Sequence, residues 1–313
     1  MKTDRNFNSP KPLKIARLSM HFCVILWGFT AILGKLISVP ALPLVFWRMS
    51  LAAIILMMLP KVWLSIRMCS PKLIIELSGV GALIAFHWIC FYGSVKLSNA
   101  SVAVSCIAAT PALTCIIEPI ITKSHFSWHE LIISLFVIPA IILIVGGTPE
   151  EMNIGVGIGL IAAFFGAVFS SFNKKLVHKS SALVATTIEM ASGAITVLGV
   201  IFLIISLDIN SSVLVAFSQS GKSTFDVLQI SSQKDVIWLL ILTIFCTILP
   251  FIIYMRALKY ISAFGTNLVI NLEPIYTILL AILIFNEQQV LSLGFYFGAV
   301  IMIGALFIHS KIN

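Results

Sequence analysis

Few charged side chains lie inside the long apolar runs of this 313-residue sequence, and these few could do chemistry. Glu273 lies about eleven residues, roughly 17 Å, into its run, which is near the middle of a membrane-spanning helix. Pro274 has no N–H, so the Ile270 carbonyl loses its helical partner. Beside the amides of Asn267 and Asn271, this carboxylate could hold a cationic group or carry a proton. We predict that Glu273 lines a cavity and that Glu273, Asn267 and Asn271 bind substrate there. The alternative is a structural glutamate that a neighbouring helix satisfies.

Arg48 lies about seven residues, or roughly 10 Å, from the near end of the second apolar run. Its guanidinium could bind a carboxylate or phosphate through two parallel hydrogen bonds. His87 and Trp88 lie at a similar depth on the third run, and Tyr92 follows one turn later, so that the aromatic rings could pack on an organic moiety. We predict that these four residues contact a substrate. The alternative is an arginine that bridges helices or extends to the interface, with aromatic rings and a histidine that are structural.

Glu189 is the acidic residue of the seventh run, about six residues from one end. It corresponds to Arg48 in the second half of the chain but lies at the opposite depth, so direct contact between them is not expected. A gating role or a bond to Ser192 or Asn173 is possible for it. We assign gating or coupling to Glu189, Glu273, Pro111 and Pro274.

Other polar and small residues in the runs have structural interpretations. Lys35 and Glu118 lie near the ends of their runs and are expected to extend to the interface as anchors. The sixth run has small residues at near-helical spacing, which is typical of close helix packing in membranes. These residues are Gly155, Gly159, Ala163, Gly166 and Ser170.

The composition indicates the class of protein in which these residues lie. Hydrophobic residues make up 59% and charged residues 10% of the chain, whereas soluble domains have about 45–50% and about 25%. The mean hydropathy is +1.09. This composition excludes a secreted disulfide scaffold, a nucleic-acid binder and a cytosolic enzyme. The six cysteines form no CxxC pair, so neither a metal nor another cofactor is predicted.

The apolar runs predict an all-α integral membrane protein with ten transmembrane helices. The runs cover residues 16–38, 41–59, 74–94, 100–121, 128–146, 155–173, 183–206, 236–255, 262–285 and 290–308. Most links are short, so neighbouring helices run antiparallel. The polar link 207–235 lacks periodicity and is predicted to be a mobile surface loop.

Basic residues predict the orientation of the chain, because cytoplasmic links are enriched in Lys and Arg. Most of them lie in the N-terminal tail, residues 1–15, and in the even-numbered links. The other side has Lys35, Lys96, Lys222 and Lys234, together with Glu150 and Glu151. We therefore predict a multi-pass protein of the cell (inner) membrane with both termini in the cytoplasm and the 207–235 loop on the other side.

Two stretches of the chain resemble each other. Lys96 precedes Pro111 by fifteen residues, as Lys259 precedes Pro274, and each proline lies mid-helix after a small-residue turn. Chance similarity between apolar helices is the alternative. With five spans per half, residues 16–147 and 155–308 form two repeats of opposite orientation. Secondary transporters are built in this way, with their binding site at the repeat interface.

Several short motifs carry a family resemblance. Trp27-Gly28 is followed by Lys35, and residues 91–100, FYGSVKLSNA, lead to Pro111. In the second half, residues 254–260, YMRALKY, lead through residues 271–274, NLEP, to residues 285–287, FNE. In order and spacing the chain resembles the EamA family of the drug/metabolite transporter superfamily. The resemblance implies a ten-helix carrier with two-fold pseudosymmetry that exports or exchanges small metabolites, in many cases amino acids. The long 207–235 loop departs from the commoner family pattern.

The predicted function is a secondary transporter, working by alternating access, whose partners are a small-molecule substrate and the bilayer, with protons as a candidate coupling ion. Both a monomer and a homodimer remain open. The alternative function is an integral-membrane enzyme acting on lipid-linked substrates. Its only candidate cluster, His125, His129 and Glu130, is better explained as a solvated helix start. We therefore do not predict an enzyme.

Overall fold

The computed structural model describes residues 10–135, 137–207, 216–218, 223–230, 232–298, 300, 301 and 304. This part of the chain consists of helices joined by short links, and none of its residues forms a strand. Sixteen of the α-helices are named here in chain order. They are α1 (Pro10–Gly28), α2 (Thr30–Leu36), α3 (Ala41–Met57), α4 (Pro60–Arg67), α5 (Pro71–Leu97), α6 (Ala100–Ile107), α7 (Thr110–Thr122), α8 (Trp128–Leu135), α9 (Val137–Gly146), α10 (Asn153–Leu176), α11 (Ala182–Ser206), α12 (Thr224–Leu228), α13 (Gln233–Thr243), α14 (Leu249–Ala257), α15 (Ala263–Ile270) and α16 (Glu273–Phe285).

Seven continuous or broken helices in the described residues are long and apolar enough to cross a membrane. An eighth is possible if α3 and α4, which meet at 91°, count as one span. The two remaining predicted spans, 128–146 and 290–308, include residues outside the described part. The all-helical membrane class is therefore observed, whereas the count of ten stays a prediction.

Hydrogen bonds and ion pairs between helix ends lie at two opposite ends of the helix bundle. At one end, which we call the loop end, the Ser38 N–H donates to Asp235 Oδ1 over 2.9 Å. At the other, the basic end, Lys179 pairs with Glu76 at 2.8 Å, and Lys174 Nζ donates to the Leu258 carbonyl at 2.7 Å. These contacts place the start of α13 at the loop end, and the ends of α10 and α14 at the basic end.

The two spans with a central proline, α6–α7 and α15–α16, break in the same way. Each has a first helix of 8 residues and a second of 13. Pro111 and Pro274 occupy the second position of α7 and α16, where a missing N–H is tolerated. The breaks touch, because Asn271 Nδ2 donates to the Ala108 carbonyl at 2.9 Å. The opposite orientation of whole five-helix repeats, and the limits 16–147 and 155–308, stay predictions.

Both broken spans also begin and end alike. Asn99 caps α6 by accepting from the Val102 N–H, and Ser262 caps α15 in the same manner. At the far ends, Lys123 and Asn286 adopt the left-handed conformation, with φ of 58° and 54°. These caps mark the outer ends of the two broken spans at matching positions.

The small residues of α10 allow close packing, as predicted. A Cβ added at Gly159 would lie 2.7 Å from the Cys106 Cβ, and one added at Gly155 would lie 2.8 Å from the Ser98 Cβ. The helix α10 therefore lies directly against α5 and α6. This packing leaves no room for larger side chains along that face.

The link 207–235, predicted to be a mobile surface loop, contains the short helix α12 and contacts α3 in its described residues; 208–215, 219–222 and 231 lie outside them. The Phe217 carbonyl accepts from the Leu42 N–H at 2.8 Å, and the Leu228 carbonyl accepts from Trp47 Nε1 at 2.8 Å. Val227 of α12 is buried. The link packs on α3 because its few apolar residues and free carbonyls find partners there, which a polar composition does not reveal.

Candidate functional site

A cavity of about 80 Å³ lies between the helices near the breaks of α6–α7 and α15–α16. It is smaller than the roughly 300–1,000 Å³ of pockets for drug-sized ligands. Arg48 and Glu273 supply its charges, and aromatic side chains supply much of its wall. The lining residues are Trp27, Thr30, Arg48, His87, Trp88, Phe91, Ile107, Thr110, Gly166, Phe169, Phe251, Tyr254, Asn267, Ile270 and Glu273.

The Arg48 guanidinium is buried and held from three directions by neutral groups. It donates to Thr247 Oγ1 at 2.6 Å, to the Tyr92 hydroxyl at 2.7 Å and to the Cys246 carbonyl at 2.9 Å. Its central carbon lies 3.7 Å from the centre of the Trp88 ring. Two of its five N–H donors remain, and it has no carboxylate partner within 4.0 Å among the described residues. The arrangement is complementary to an anionic group.

A helix distortion provides two of these partners. Residues Ile244–Ile248 form a π-helical turn between α13 and α14. Pro250 lacks an N–H, so the Cys246 carbonyl has no helical donor and is available to Arg48. Thr247 Oγ1 donates in turn to the Leu242 carbonyl at 2.9 Å. Sequence analysis missed both partners, although the rule applied to Pro274 identifies the Cys246 carbonyl as well.

Glu273 is the first residue of α16 and lies at the cavity wall with 8% of its surface exposed. No Lys, Arg or His of the described chain forms an ion pair with it within 4.0 Å. The positive end of the α16 dipole favours a negative charge at this position. The cavity thus contains one acidic and one basic group that are not bonded to each other.

Aromatic rings from four helices meet around the cavity. Phe251 makes an edge contact with Trp88, with centroids 6.0 Å apart, and stacks on Phe169 at 6.4 Å. Trp27 meets Tyr254 edge-on at 5.8 Å. Sequence analysis singled out only Trp88 among these as a contact residue. The i, i+3 spacing of Phe251 and Tyr254 after Pro250 was the available signal for these two.

The comparison with known proteins decides what kind of protein carries this cavity. The sequence profile of the EamA-like transporter family matches residues 15–146 and 153–310. The chain belongs to the EamA-like transporter family. The predicted resemblance is thereby confirmed, and the protein is a multi-pass membrane transporter of the drug/metabolite type.

Solved structures share the fold of this EamA-like transporter. One of them is described only as "Crystal structure of protein" and matches with a TM-score of 0.63 at 12% sequence identity. The match covers 96% of this chain and 97% of that one. Among curated proteins, none matches the sequence. At this identity the likeness shows the fold alone.

Of the remaining residues that were predicted to contact substrate, some line the cavity and others do not. His87 lines the cavity, and its Nδ1 lies 2.7 Å from the Ala162 carbonyl oxygen. The histidine nitrogen is the donor of this hydrogen bond, because a carbonyl can only accept. Asn267 also lines the cavity, and its Nδ2 donates to Thr114 Oγ1 and Ser170 Oγ at 2.9 and 2.8 Å. Tyr92, Asn271 and the two prolines are not among the lining residues; Tyr92 acts on the cavity through Arg48, and the others lie at the helix breaks.

Glu189 lies away from the cavity wall of the transporter and is completely buried. The predicted bond to Ser192 is wrong for the carboxylate, because Ser192 Oγ donates to the backbone carbonyl of Glu189 at 3.2 Å. Asn173 lies beside the carboxylate. Neither the two Glu189 oxygens nor the Asn173 amide atoms make a hydrogen bond with the described residues.

The loop end of the transporter is held by Glu287, which follows α16. Its carboxylate accepts from Lys35 Nζ at 2.8 Å, from the N–H groups of Ala100 and Ser101 at 3.3 and 3.1 Å, and from Ser101 Oγ at 2.6 Å. We call this cluster the loop-end closure. It ties the end of α16 to the start of α6 and to α2, so the prediction that Lys35 is an interfacial anchor is wrong.

The basic end is held in the same manner by Glu118 of α7. Its buried carboxylate accepts from the N–H groups of Ala263 and Phe264 at 2.9 and 2.7 Å. We call these three residues the basic-end closure. Each broken span therefore caps the first turn of the other with a carboxylate, where helix N-termini favour negative charge. The prediction that Glu118 is an interfacial anchor is also wrong.

Proposed function

We propose that this EamA-like transporter is a secondary carrier for small zwitterionic metabolites such as amino acids. The observation that carries the proposal is the pair of unbonded opposite charges, Arg48 and Glu273, in one small aromatic cavity. A substrate carboxylate would occupy the two remaining Arg48 donors, and its ammonium group would bind Glu273. The aromatic rings would pack on its organic part.

The small cavity supports a small substrate. A buried guanidinium without an anionic partner is unfavourable in a low-dielectric environment. A zwitterion would neutralise both charged groups of the cavity at once, whereas a cation or an anion alone would neutralise one. This difference favours amino acids over simple amines or carboxylic acids.

Alternating access is supported by the two closures. The loop-end closure and the basic-end closure lie at opposite ends of the same two broken spans and are both formed in the structure. Opening one while the other stays closed would expose the cavity to one side of the membrane at a time. The touching breaks at Asn271 and Ala108 provide a pivot for this movement.

Counterflow in liposomes tests the carrier function and the role of Glu273. Purified protein should exchange external radiolabelled amino acids for unlabelled amino acids inside, with the substrate chemically unchanged. Glu273→Gln should slow exchange at least tenfold, because an amide cannot pair with the ammonium group. The matched control is Glu76→Gln, which removes a surface pair with Lys179 and should exchange normally.

Three outcomes would contradict this assignment. A chemically modified substrate would favour the membrane enzyme that acts on lipid-linked compounds. Exchange that persists in Glu273→Gln while gradient-driven transport is lost would make Glu273 a proton carrier and not an ammonium ligand. Normal rates of both processes in a folded variant would make Glu273 a structural residue.

We also propose that the basic end faces the cytoplasm, together with both termini, because Lys and Arg are concentrated there. Single cysteines in a cysteine-free background test this orientation at two exposed positions, Phe225→Cys on α12 and His178→Cys between α10 and α11. A membrane-impermeant maleimide added to intact cells should label position 225 and spare position 178. The reverse pattern would invert the orientation, and labelling of both positions would contradict the inverted five-helix repeats.

A further inference from the structure

A second polar cluster lies between α10, α11 and α14, outside the cavity wall formed by Arg48 and Glu273. Glu189 and Asn173 are completely buried, and Tyr254 is nearly so. The oxygens of the Glu189 carboxylate, both amide atoms of Asn173 and the Tyr254 hydroxyl lack hydrogen-bond partners among the described residues. Buried polar groups are normally satisfied, so this cluster requires an explanation.

The backbone at Glu189 cannot withdraw from the protein interior. A Cβ added at Gly81 of α5 would lie 2.3 Å from the Glu189 carbonyl oxygen and 2.0 Å from Ser192 Oγ. Close contact of α5 and α11 at this point fixes the depth of the side chain. The carboxyl group therefore stays among helices and does not extend to the interface.

No cation of the described chain balances this carboxyl group. The helix α14 presents the Tyr254 phenol to it, and α10 presents the neutral Asn173 amide. The helices α5 and α3 pack on this stretch of α11 through Gly81 and Met49. The ion pairs of the described residues involve other side chains.

The charged groups on the elements around α11 are occupied or distant. Arg48 of α3 is bonded to the π-helical turn, Glu76 of α5 pairs with Lys179, and Asp226 of α12 caps its own helix. Lys61 and Arg67 of α4 are exposed, and Glu118 of α7 lies near Tyr254 but is bonded to the start of α15. An ionised carboxylate with no partner in such an environment is strongly unfavourable. The neutral acid is the form that fits.

We propose that Glu189 is a proton-binding site and that its protonation couples transport to the pH gradient. The inference rests on the proposed carrier function and assigns the coupling ion to a residue other than the substrate ligands. Tyr254 connects the two sites, because it lines the cavity and also lies near Glu189. Release of the proton leaves a charge that must be hydrated, so it requires α10, α11 and α14 to separate. Glu189 binds a proton when the cavity closes around substrate and releases it when the helices separate on the other side, so protons move together with substrate. A permanently neutral side chain lets the helices separate without proton release and removes only the coupling.

Infrared pH-difference spectra of the purified protein in liposomes test the proton site without any substrate. Wild-type protein should show the C=O band of a buried carboxylic acid that disappears as the pH rises, and Glu189→Gln should lack it. Glu118→Gln should keep the band, because the Glu118 carboxylate is held by two backbone N–H donors. Glu189→Asp should keep a titrating band at a shifted frequency. A band of unchanged intensity in Glu189→Gln would overturn the assignment, whereas a residual band that disappears in Glu273→Gln belongs to the cavity carboxyl.

Transport measurements test the coupling. One proton per substrate molecule and a gradient of one pH unit give up to about tenfold accumulation. Glu189→Gln should exchange amino acids within about twofold of the wild-type rate, since it preserves the neutral form, but should show no accumulation. Unchanged accumulation, or accumulation that follows a sodium gradient, would overturn the coupling role. A wild-type protein that exchanges no amino acid overturns the proposed carrier function instead, while the infrared result still decides whether Glu189 holds a proton.

Discussion

Arg48→Lys should insert and fold normally but bind the exchanged amino acid at least tenfold more weakly, a loss of about 1.4 kcal/mol. Lysine keeps the positive charge but lacks the planar guanidinium with its paired N–H donors. A lysine ammonium cannot reach Thr247, Tyr92 and the Cys246 carbonyl at the same time, nor can it stack flat on Trp88 as the guanidinium does. The measurement is the apparent affinity in counterflow, at expression levels matched to wild type.

Arg67→Lys provides the matched control for this substitution. Arg67 also lies over an aromatic ring, that of Trp63 at 4.4 Å, but it is exposed on α4 and far from the cavity. Its replacement should leave the affinity within about twofold of wild type, as is usual for surface pairs. If Arg48→Lys retains wild-type affinity and rate, Arg48 is a helix-bridging residue and the anionic subsite lies elsewhere.

Glu287→Gln should open the loop end of the transporter, and Glu118→Gln should open the basic end. Hydrogen bonds to a charged group contribute about 1.5–3 kcal/mol each. Removing the charge should weaken a closure by about 2 kcal/mol in total, which changes the ratio of open to closed molecules about thirtyfold. A cysteine at the cavity residue Ile107 reports the change through its labelling by an impermeant maleimide.

Comparison of the two variants makes the test specific. In Ile107→Cys, Glu287→Gln should raise labelling from the side of the loop end and lower it from the side of the basic end, and Glu118→Gln should do the reverse. Both variants should transport more slowly, because each favours one half of the cycle. Equal increases from both sides would indicate general loosening, and the closures would then have no gating role.

The membrane class and most helices could be predicted from hydropathy because the bilayer demands long apolar helices. The breaks could be located as well, since a proline inside a span cannot complete the backbone bonds there. Pro111 and Pro274 both lie where the structure divides a span into 8 and 13 residues. In these respects local sequence determines local structure.

The partners of charged residues could not be predicted in the same way. Lys35 and Glu287 lie 252 residues apart in the sequence, and Glu118 and Ala263 lie 145 apart. An apolar run in the sequence places each of these residues near a helix end. It carries no information on which other helix packs against that end. For that reason Lys35 and Glu118 were expected at the interface, whereas the structure buries Glu118 and pairs Lys35.

The site was predicted in part because a charge in an apolar run is itself a local signal. Arg48, His87, Trp88, Asn267 and Glu273 line one cavity. Phe169 and Phe251 were missed because an aromatic residue in a membrane helix usually packs against lipid or other helices. In the structure Phe251 meets Trp88 edge-on and Phe169 stacks on Phe251, and these contacts distinguish the two rings.

The partners of Arg48 have a consequence for how the chain is made. Thr247 and Cys246 follow Arg48 by 199 and 198 residues, and at about 5–20 residues per second a ribosome needs roughly 10–40 s to synthesise that length. During this interval the guanidinium has only Tyr92 and Trp88 from the nascent chain, in a membrane where an unshielded charge is unfavourable. Water, lipid headgroups or the insertion machinery must shield it until the π-helical turn that follows α13 emerges. A chain truncated before residue 246 retains this unshielded arginine, which gives membrane quality control a defect to recognise.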